Sequence, residues 1–193
     1  MKTFNLLLLA DIISIVPLVI ILSLMYNFFI APGKNVVDII LAIVIILANF
    51  SVEKIKRLPW PKEWDSVTRR PKGAMNTDYL SRNGPAKPRA PGMPSGHMTS
   101  TSLFAIFMLF CVWSMKYQKD TKKFIQQEWL FIFINLSLIG LMAFARYYKK
   151  CHNIPQIIAG TLYGGLIGYV AYYVLEKLDI LKIRNKEILD FNL

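Results

Sequence analysis

The sequence predicts an all-α fold: a polytopic bundle of about five transmembrane helices with a long polar loop at one face of the membrane. The chain of 193 residues is 54% hydrophobic although 18% of its residues are charged, and its mean hydropathy is +0.40. Apolar and charged residues are separated along the chain, as they are in integral membrane proteins. We therefore expect a single integral membrane domain over residues 1–193, embedded in a lipid bilayer as a multi-pass protein.

The formal net charge of +11 limits the partners that this chain attracts. Strongly basic proteins bind nucleic acid, anionic membrane surfaces or anionic substrates. The long apolar segments argue against nucleic acid, so an anionic substrate or membrane surface is expected. The two cysteines, Cys111 and Cys151, have the spacing of neither a metal site nor a disulfide framework.

Five apolar segments are long enough to cross a bilayer as helices. They cover residues 4–30, 36–51, 98–115, 129–145 and 154–175. The first is longer than a signal-peptide core and lacks a small-residue cleavage site, so a retained helix is predicted. Its acid, Asp11, is expected to be solvated or paired with another helix, because acids in membranes are costly. In the last segment, Gly160 and Gly164 form a small-residue face for close helix packing.

Residues 53–97 form the longest polar stretch, with seven prolines that prevent a long regular helix. Loops of this length in a compact protein are usually functional or disordered. After five crossings, this loop and the polar turn at residues 146–153 lie on the same face of the membrane. The two histidines of the chain, His97 and His152, are therefore predicted to lie on one face, each close to the start of a helix.

The tetrapeptide Pro94-Ser95-Gly96-His97 closes the polar loop and opens the third apolar segment. Helix starts leave backbone N–H groups unpaired and carry partial positive charge, so they hold phosphate well. Glycine lets the backbone approach an oxyanion closely, and proline fixes the entry to the first turn. The stretch is therefore predicted to bind an anion at the start of a helix.

Arg70 and Arg146 can converge with His97 and His152 on the same anion. Arginine offers a planar fork of donors that matches phosphate. Histidine titrates near neutral pH, so one imidazole can attack phosphorus while the other protonates the leaving oxygen. The arginines would stabilise charge on the equatorial oxygens of the transition state. Such a site needs no metal and no other cofactor, and no cluster of His, Cys and Asp has metal-ligand spacing.

These residues resemble the signature of the type 2 phosphatidic acid phosphatase family, which has three elements: Lys-x6-Arg-Pro, Pro-Ser-Gly-His and Ser-Arg-x5-His-x3-Asp. The second element is intact at residues 94–97. The third is present as Ala145-Arg146, then His152 at the family spacing, then Gln156 where the family has aspartate. The resemblance implies a divergent member of the family.

The first element of the signature is incomplete in this chain. Arg70-Pro71 fits, but Lys62 stands one residue from the position at which the family has its lysine. Lys54 and Lys56, at the end of the second apolar segment, would need an insertion to take that role. Lys62 is kept as the predicted ligand, and the identity of this lysine stays open.

The resemblance implies that His152 is the nucleophile and that His97 is the general acid. Gln156 takes the place of the aspartate that accepts the nucleophile's Nδ1–H. Its carbonyl oxygen can accept the same hydrogen bond, but it cannot supply the negative charge that supports an imidazolium. A working but slower site is therefore expected, with an inactive one as the alternative. The implied phosphate ligands are Arg70, Ser95, Gly96, Arg146 and Lys62.

The resemblance implies a membrane lipid phosphatase, with a lipid phosphate or an isoprenyl diphosphate as substrate and a phospho-histidine as intermediate. Two alternatives stay open: a phosphotransferase that passes a headgroup through the same histidines to an alcohol, and a non-catalytic protein that binds anionic lipid. Lys149 and Lys150 are expected to contact lipid headgroups and to take no part in catalysis.

Overall fold

The computed structural model describes residues 6–30, 35–76, 84–87 and 90–181. Within these ranges the chain forms seven α-helices and one short antiparallel pair of strands. The helices are α1 (Leu6–Phe29), α2 (Val36–Lys56), α3 (Asp65–Thr68), α4 (Gly96–Tyr117), α5 (Thr121–Gln127), α6 (Trp129–Tyr148) and α7 (Ile154–Lys177), and the strands are β1 (Met75–Asn76) and β2 (Gly84–Pro85).

Five helices of the described ranges, namely α1, α2, α4, α6 and α7, are long and apolar enough to cross a membrane. They stand where the five apolar segments predict them, which confirms the all-α bundle. These five helices are consistent with a multi-pass membrane protein. The short helix α5 lies in the connection between α4 and α6, outside the five predicted segments.

The helix α2 is longer than predicted, because it runs to Lys56 and not to residue 51. No proline interrupts it before Pro59, and the basic side chains of Lys54 and Lys56 complement the negative end of the helix dipole. The predicted active-site loop at 53–97 therefore contains the last turn of α2 at its start and the first residues of α4 at its end.

The helix α4 lies at the centre of the bundle and packs against α1, α2, α6 and α7. Half of the residues in its apolar stretch are buried inside the protein, whereas 22–33% are buried in the other four spans. Helices that are apolar on all sides suit a lipid environment, in which the bilayer covers their outer faces. Residues at the start of α4 are thus held by several neighbours at once.

The contact between α4 and α7 depends on glycine. A Cβ at Gly164 would lie 2.2 Å from the carbonyl oxygen of Thr99 in α4. At Gly160 and Gly168 a Cβ would lie 2.6 and 2.4 Å from other carbonyl oxygens of α4 or its N-cap. The predicted glycine face is confirmed and extends by one turn to Gly168. It brings the first turn of α4 close to the start of α7.

The first helix is tied to the end of α6. Asp11 forms an ion pair with Lys149, and the hydroxyl of Ser14 accepts a 3.2 Å hydrogen bond from Nη1 of Arg146. Asp11 is therefore paired with another part of the bundle, as expected. The headgroup role predicted for Lys149 is wrong, because this residue is only 5% exposed and its ammonium faces α1.

Candidate active site

A cavity of about 370 Å³ opens at the end of the bundle where α2 and α6 end and where α4 and α7 begin. Five of the predicted site residues line this cavity: Arg70, Gly96, His97, Arg146 and His152. The two histidines and two arginines thus line one cavity, whereas counting the membrane crossings predicts only that the histidines share a face. His97 and His152 are 9% and 3% exposed.

The helix α2 and the residue after it supply further residues of the cavity that are not among the predicted ligands. Its last turns place Asn49, Glu53 and Lys56 on the cavity, and Arg57 follows directly. Nζ of Lys56 lies 2.6 Å from the Glu53 carboxylate. The predicted ligand Lys62 is exposed in a short 3₁₀ helix and does not line the cavity. The lysine at the cavity is Lys56, one of the residues that would need an insertion.

The start of α4 places the second motif. Ser95 is the N-cap residue of the helix and is fully buried. Its hydroxyl has no hydrogen-bond partner within the part of the chain that the structure describes, and Ser95 does not itself line the cavity. At Gly96, a Cβ would lie 3.2 Å from the side-chain oxygen of Asn49. The glycine therefore lets α2 approach the start of α4 closely.

The turn after α6 places the third motif. The carbonyl oxygen of Arg146 accepts hydrogen bonds from the backbone N–H groups of Cys151, at 3.0 Å, and His152, at 3.4 Å. This closed turn brings the arginine and the histidine together although five residues separate them. Arg146 is 1% exposed, so its side chain is almost completely enclosed by the protein.

Gln156 lies behind His152 and fixes its tautomer. Nε2 of Gln156 donates hydrogen bonds to the carbonyl oxygens of Val67, at 2.8 Å, and Arg69, at 2.6 Å. These two acceptors assign the nitrogen of the amide to their side, so Oε1 faces Nδ1 of His152 at 3.0 Å. Nδ1 of His152 is therefore the protonated nitrogen, and Nε2 carries the lone pair.

The surroundings of His152 favour its neutral form. Burial has the largest effect and lowers the pKa of His152 well below its usual range. The nearby positive charges of Arg146, Arg70 and Lys56 lower this pKa further, and the hydrogen bond to Gln156 raises it in part. Positive neighbours and a dry setting both disfavour an imidazolium, so His152 is a neutral imidazole at neutral pH.

The cavity is suited to a multiply charged anion. Its lining within the described residues carries four permanent cations against one carboxylate, that of Glu53. The cations are Lys56, Arg57, Arg70 and Arg146. In the same described ranges, no three side chains of His, Cys, Asp and Glu converge as a metal-ion site requires. Arginine forks bind both phosphate and carboxylate, and the excess of positive charge favours phosphate, which is the more highly charged of the two.

Comparison with known proteins agrees with this geometry. The family model of the PAP2 superfamily matches residues 39–180, which is well over half of the chain. The match includes α2 from residue 39 onward, the loop and the starts of α4 and α7, and hence every residue that lines the cavity. No curated protein and no solved structure matches the chain. Members of the superfamily are generally phosphatases. This chain belongs to the PAP2 superfamily.

Proposed function

We propose that this chain is a membrane lipid phosphatase that hydrolyses a phosphomonoester or a diphosphate on a lipid through a phospho-histidine. The observation that supports this most directly is the shared cavity of His97, His152, Arg70 and Arg146. Family membership supports phosphatase activity at a coarser level. The cavity lies at the end of helices that suit a membrane, so a lipid can present its phosphate there while its tail stays among the apolar faces.

In the first step, Nε2 of His152 attacks phosphorus and the bond from phosphorus to the leaving oxygen breaks. The tautomer that Gln156 favours supports this role, because it leaves the lone pair on Nε2. His97 enters this step as an imidazolium, a form that the negative charge of the bound phosphate favours, and donates its proton to the leaving oxygen. The lipid departs as an alcohol or, from a diphosphate, as a lipid monophosphate.

In the second step, water attacks the phospho-histidine. The bond from phosphorus to Nε2 of His152 breaks, His97 takes a proton from the water, and inorganic phosphate leaves. Both histidines return to their starting forms, so the cycle balances without another reactant. Splitting one hydrolysis into two displacements lowers each barrier, and the proposed chemistry uses no metal ion.

The cations of the cavity hold the phosphate during both steps. Arg70 and Arg146 bind its oxygens and stabilise the charge that spreads over them in the transition state. Lys56 takes the role that the sequence analysis gave to Lys62, because Lys56 lines the cavity. The backbone N–H of Gly96 and the hydroxyl of Ser95 add neutral donors at the helix start.

The test is phosphate release by the full chain, purified in detergent, from a panel of lipid phosphates and isoprenyl diphosphates with a chelator present. We expect release by the wild type and a loss of at least about 1,000-fold in His152→Ala, which lacks the nucleophile. Ile154→Ala, an exposed position in the first turn of α7, is the matched control and should keep wild-type activity.

Two outcomes would replace the proposal. Background release by both the wild type and His152→Ala would favour a protein that binds anionic lipid without catalysis. Transfer of phosphate to an added alcohol, with no release to water in its absence, would favour the phosphotransferase.

A further inference from the structure

The segment that carries Arg70 is held on one side by the loop before α4. The backbone N–H of Arg70 donates to the carbonyl oxygen of Ala90 at 2.9 Å. The N–H of Gly92 donates to the carbonyl oxygen of Thr68 at 2.8 Å. These two bonds fix the end of α3 and the residues after it against the chain that leads to the second motif.

The same segment is held on its other side by two side chains at the start of α7. Nδ2 of Asn153 donates to the carbonyl oxygen of Ser66 at 2.8 Å, and Gln156 makes the contacts closest to Arg70. Gln156 is 0% exposed, and its Nε2 donates to the carbonyl oxygens of Val67 and Arg69. The carbonyl of Val67 belongs to the last turn of α3, where carbonyls lack partners within the helix. Both N–H groups of the amide therefore donate to backbone carbonyls directly before Arg70.

The backbone of the loop before α4 packs closely against this amide. A Cβ at Gly92 would lie 2.6–2.7 Å from Oε1, Cδ and Nε2 of Gln156. The backbone of Gly92 thus covers the amide on a further side. Three parts of the site meet at Gln156: the segment before Arg70, the loop before the second motif, and His152.

We propose that Gln156 is a positioning residue for two parts of the site at once. Its oxygen orients His152, and its nitrogen holds the segment that places Arg70. A carboxylate could accept the hydrogen bond from His152, but it has no proton to donate and would face two carbonyl oxygens. The amide in place of the family's aspartate is therefore what this loop arrangement requires. The inference rests on the proposed function, because it takes Arg70 as a phosphate ligand.

The test compares two variants of the full chain by the affinity for inorganic phosphate, measured by calorimetry, and by kcat and KM. Gln156→Glu keeps the oxygen that faces His152 and loses both donors. Gln156→Met loses both donors and the oxygen that faces His152, without adding charge. We expect both to bind phosphate at least about tenfold more weakly, which corresponds to the loss of buried hydrogen bonds. In Gln156→Glu we expect the rise in KM to exceed the fall in kcat.

A second route leaves Gln156 in place and displaces its amide. Gly92→Ala pushes a methyl group into the amide and should weaken phosphate binding to a similar extent. Gly140→Ala, where a Cβ meets nothing within 4 Å, and Gln127→Glu, at an exposed position on α5, are the matched controls and should match the wild type. Melting temperatures show which variants fold, and Gly92→Ala decides the question if the Gln156 variants do not.

Phosphate affinity at the wild-type level in Gln156→Met or in folded Gly92→Ala would overturn the inference. A loss of affinity in Gln156→Glu alone would not rescue it, since the added negative charge would then explain that loss. Calorimetry needs no turnover. A wild type that hydrolyses no lipid but loses phosphate binding on these changes would refute the catalytic proposal and leave the positioning role standing.

Discussion

His152 is deeply buried and has positively charged neighbours, and both features shift the protonation equilibrium of its imidazole in the same direction. Protonation of this imidazole would remove the lone pair that attacks phosphorus. Burial and the charges of Arg146 and Arg70 hold the pKa of His152 well below its usual value, which is about 6.5. The nucleophile therefore stays neutral, and hence active, at pH values at which an exposed histidine is largely protonated.

We expect the acidic limb of the profile of kcat/KM against pH to lie below about pH 6.5, the usual pKa of histidine. Lys56→Met removes one of the charges that lower the pKa of His152, so the limb should move to higher pH. Lys62→Met, at an exposed lysine outside the cavity, is the matched control and should leave the limb in place. A limb that is the same in all three proteins would contradict this account.

The sequence could identify the residues of the second and third motifs because a helix begins or ends within each motif. Because helix geometry is regular, the separation of these residues along the chain also sets their separation in the structure. The sequence could not identify the lysine, since a 3₁₀ helix and α3 lie between α2 and Arg70, and separation along such a folded connection does not measure proximity in space. Lys56 reaches the cavity from the end of α2, whereas Lys62, closer to Arg70 in sequence, points to solvent. The donors of Gln156 escape prediction because their acceptors are backbone carbonyls.

Among the helices, the pair α4 and α7 decides whether the two histidines meet. His97 lies in the first turn of α4 and His152 lies just before α7. Hydropathy predicts both helices, and glycine spacing predicts that α7 packs closely against another helix, but the structure identifies that helix as α4. Hydropathy does not predict that α2 stays helical through its charged end, because a drop in hydropathy marks the end of an apolar segment and not the end of a helix.

Gly164→Ala tests the glycine contact. Its Cβ would lie 2.2 Å from the carbonyl oxygen of Thr99, so α7 must move away from α4. We expect the free energy of unfolding in detergent to fall by about 1–3 kcal/mol, which is the usual cost of overpacking a protein interior. Phosphatase activity should fall with it. Activity falls because the movement separates the histidines.

The neighbouring glycine is the control for this change. A Cβ at Gly165 would lie 3.7 Å from Cγ1 of Ile106, which is ordinary contact. Gly165→Ala should therefore preserve activity and gain up to about 1 kcal/mol from helix propensity. Equal stabilities of Gly164→Ala and Gly165→Ala would show that the glycine contact does not set the helix distance.

Over the whole molecule, the site depends on a helix that the family match does not cover. The match begins at residue 39, whereas α1 ends at Phe29. Nevertheless Ser14 of α1 holds the guanidinium of Arg146, and Asp11 pairs with Lys149 in the turn that leads to His152. The first helix is thus part of the support of the cavity, and changes in it should reach the chemistry through α6.

Asp11→Asn tests this dependence. It removes the carboxylate that pairs with Lys149, whose side chain is 2% exposed while that of Asp11 is 33% exposed. Breaking a buried pair from one side leaves a charge that water cannot reach, so we expect a loss of about 3 kcal/mol, the lower end of the range for such pairs. Activity should fall as well, because the turn that carries His152 loses its anchor on α1.

The double variant Asp11→Asn/Lys149→Met separates the ion pair from other effects of α1. With the ammonium gone, no buried charge remains to be compensated, so the double variant should be more stable than Asp11→Asn alone. Glu63→Gln, which neutralises an exposed acid on the 3₁₀ helix, controls for the change in net charge. If the double variant loses as much free energy of unfolding as the two single variants together, Asp11 and Lys149 act independently. In that case α1 would have to support the cavity through Ser14 and packing alone.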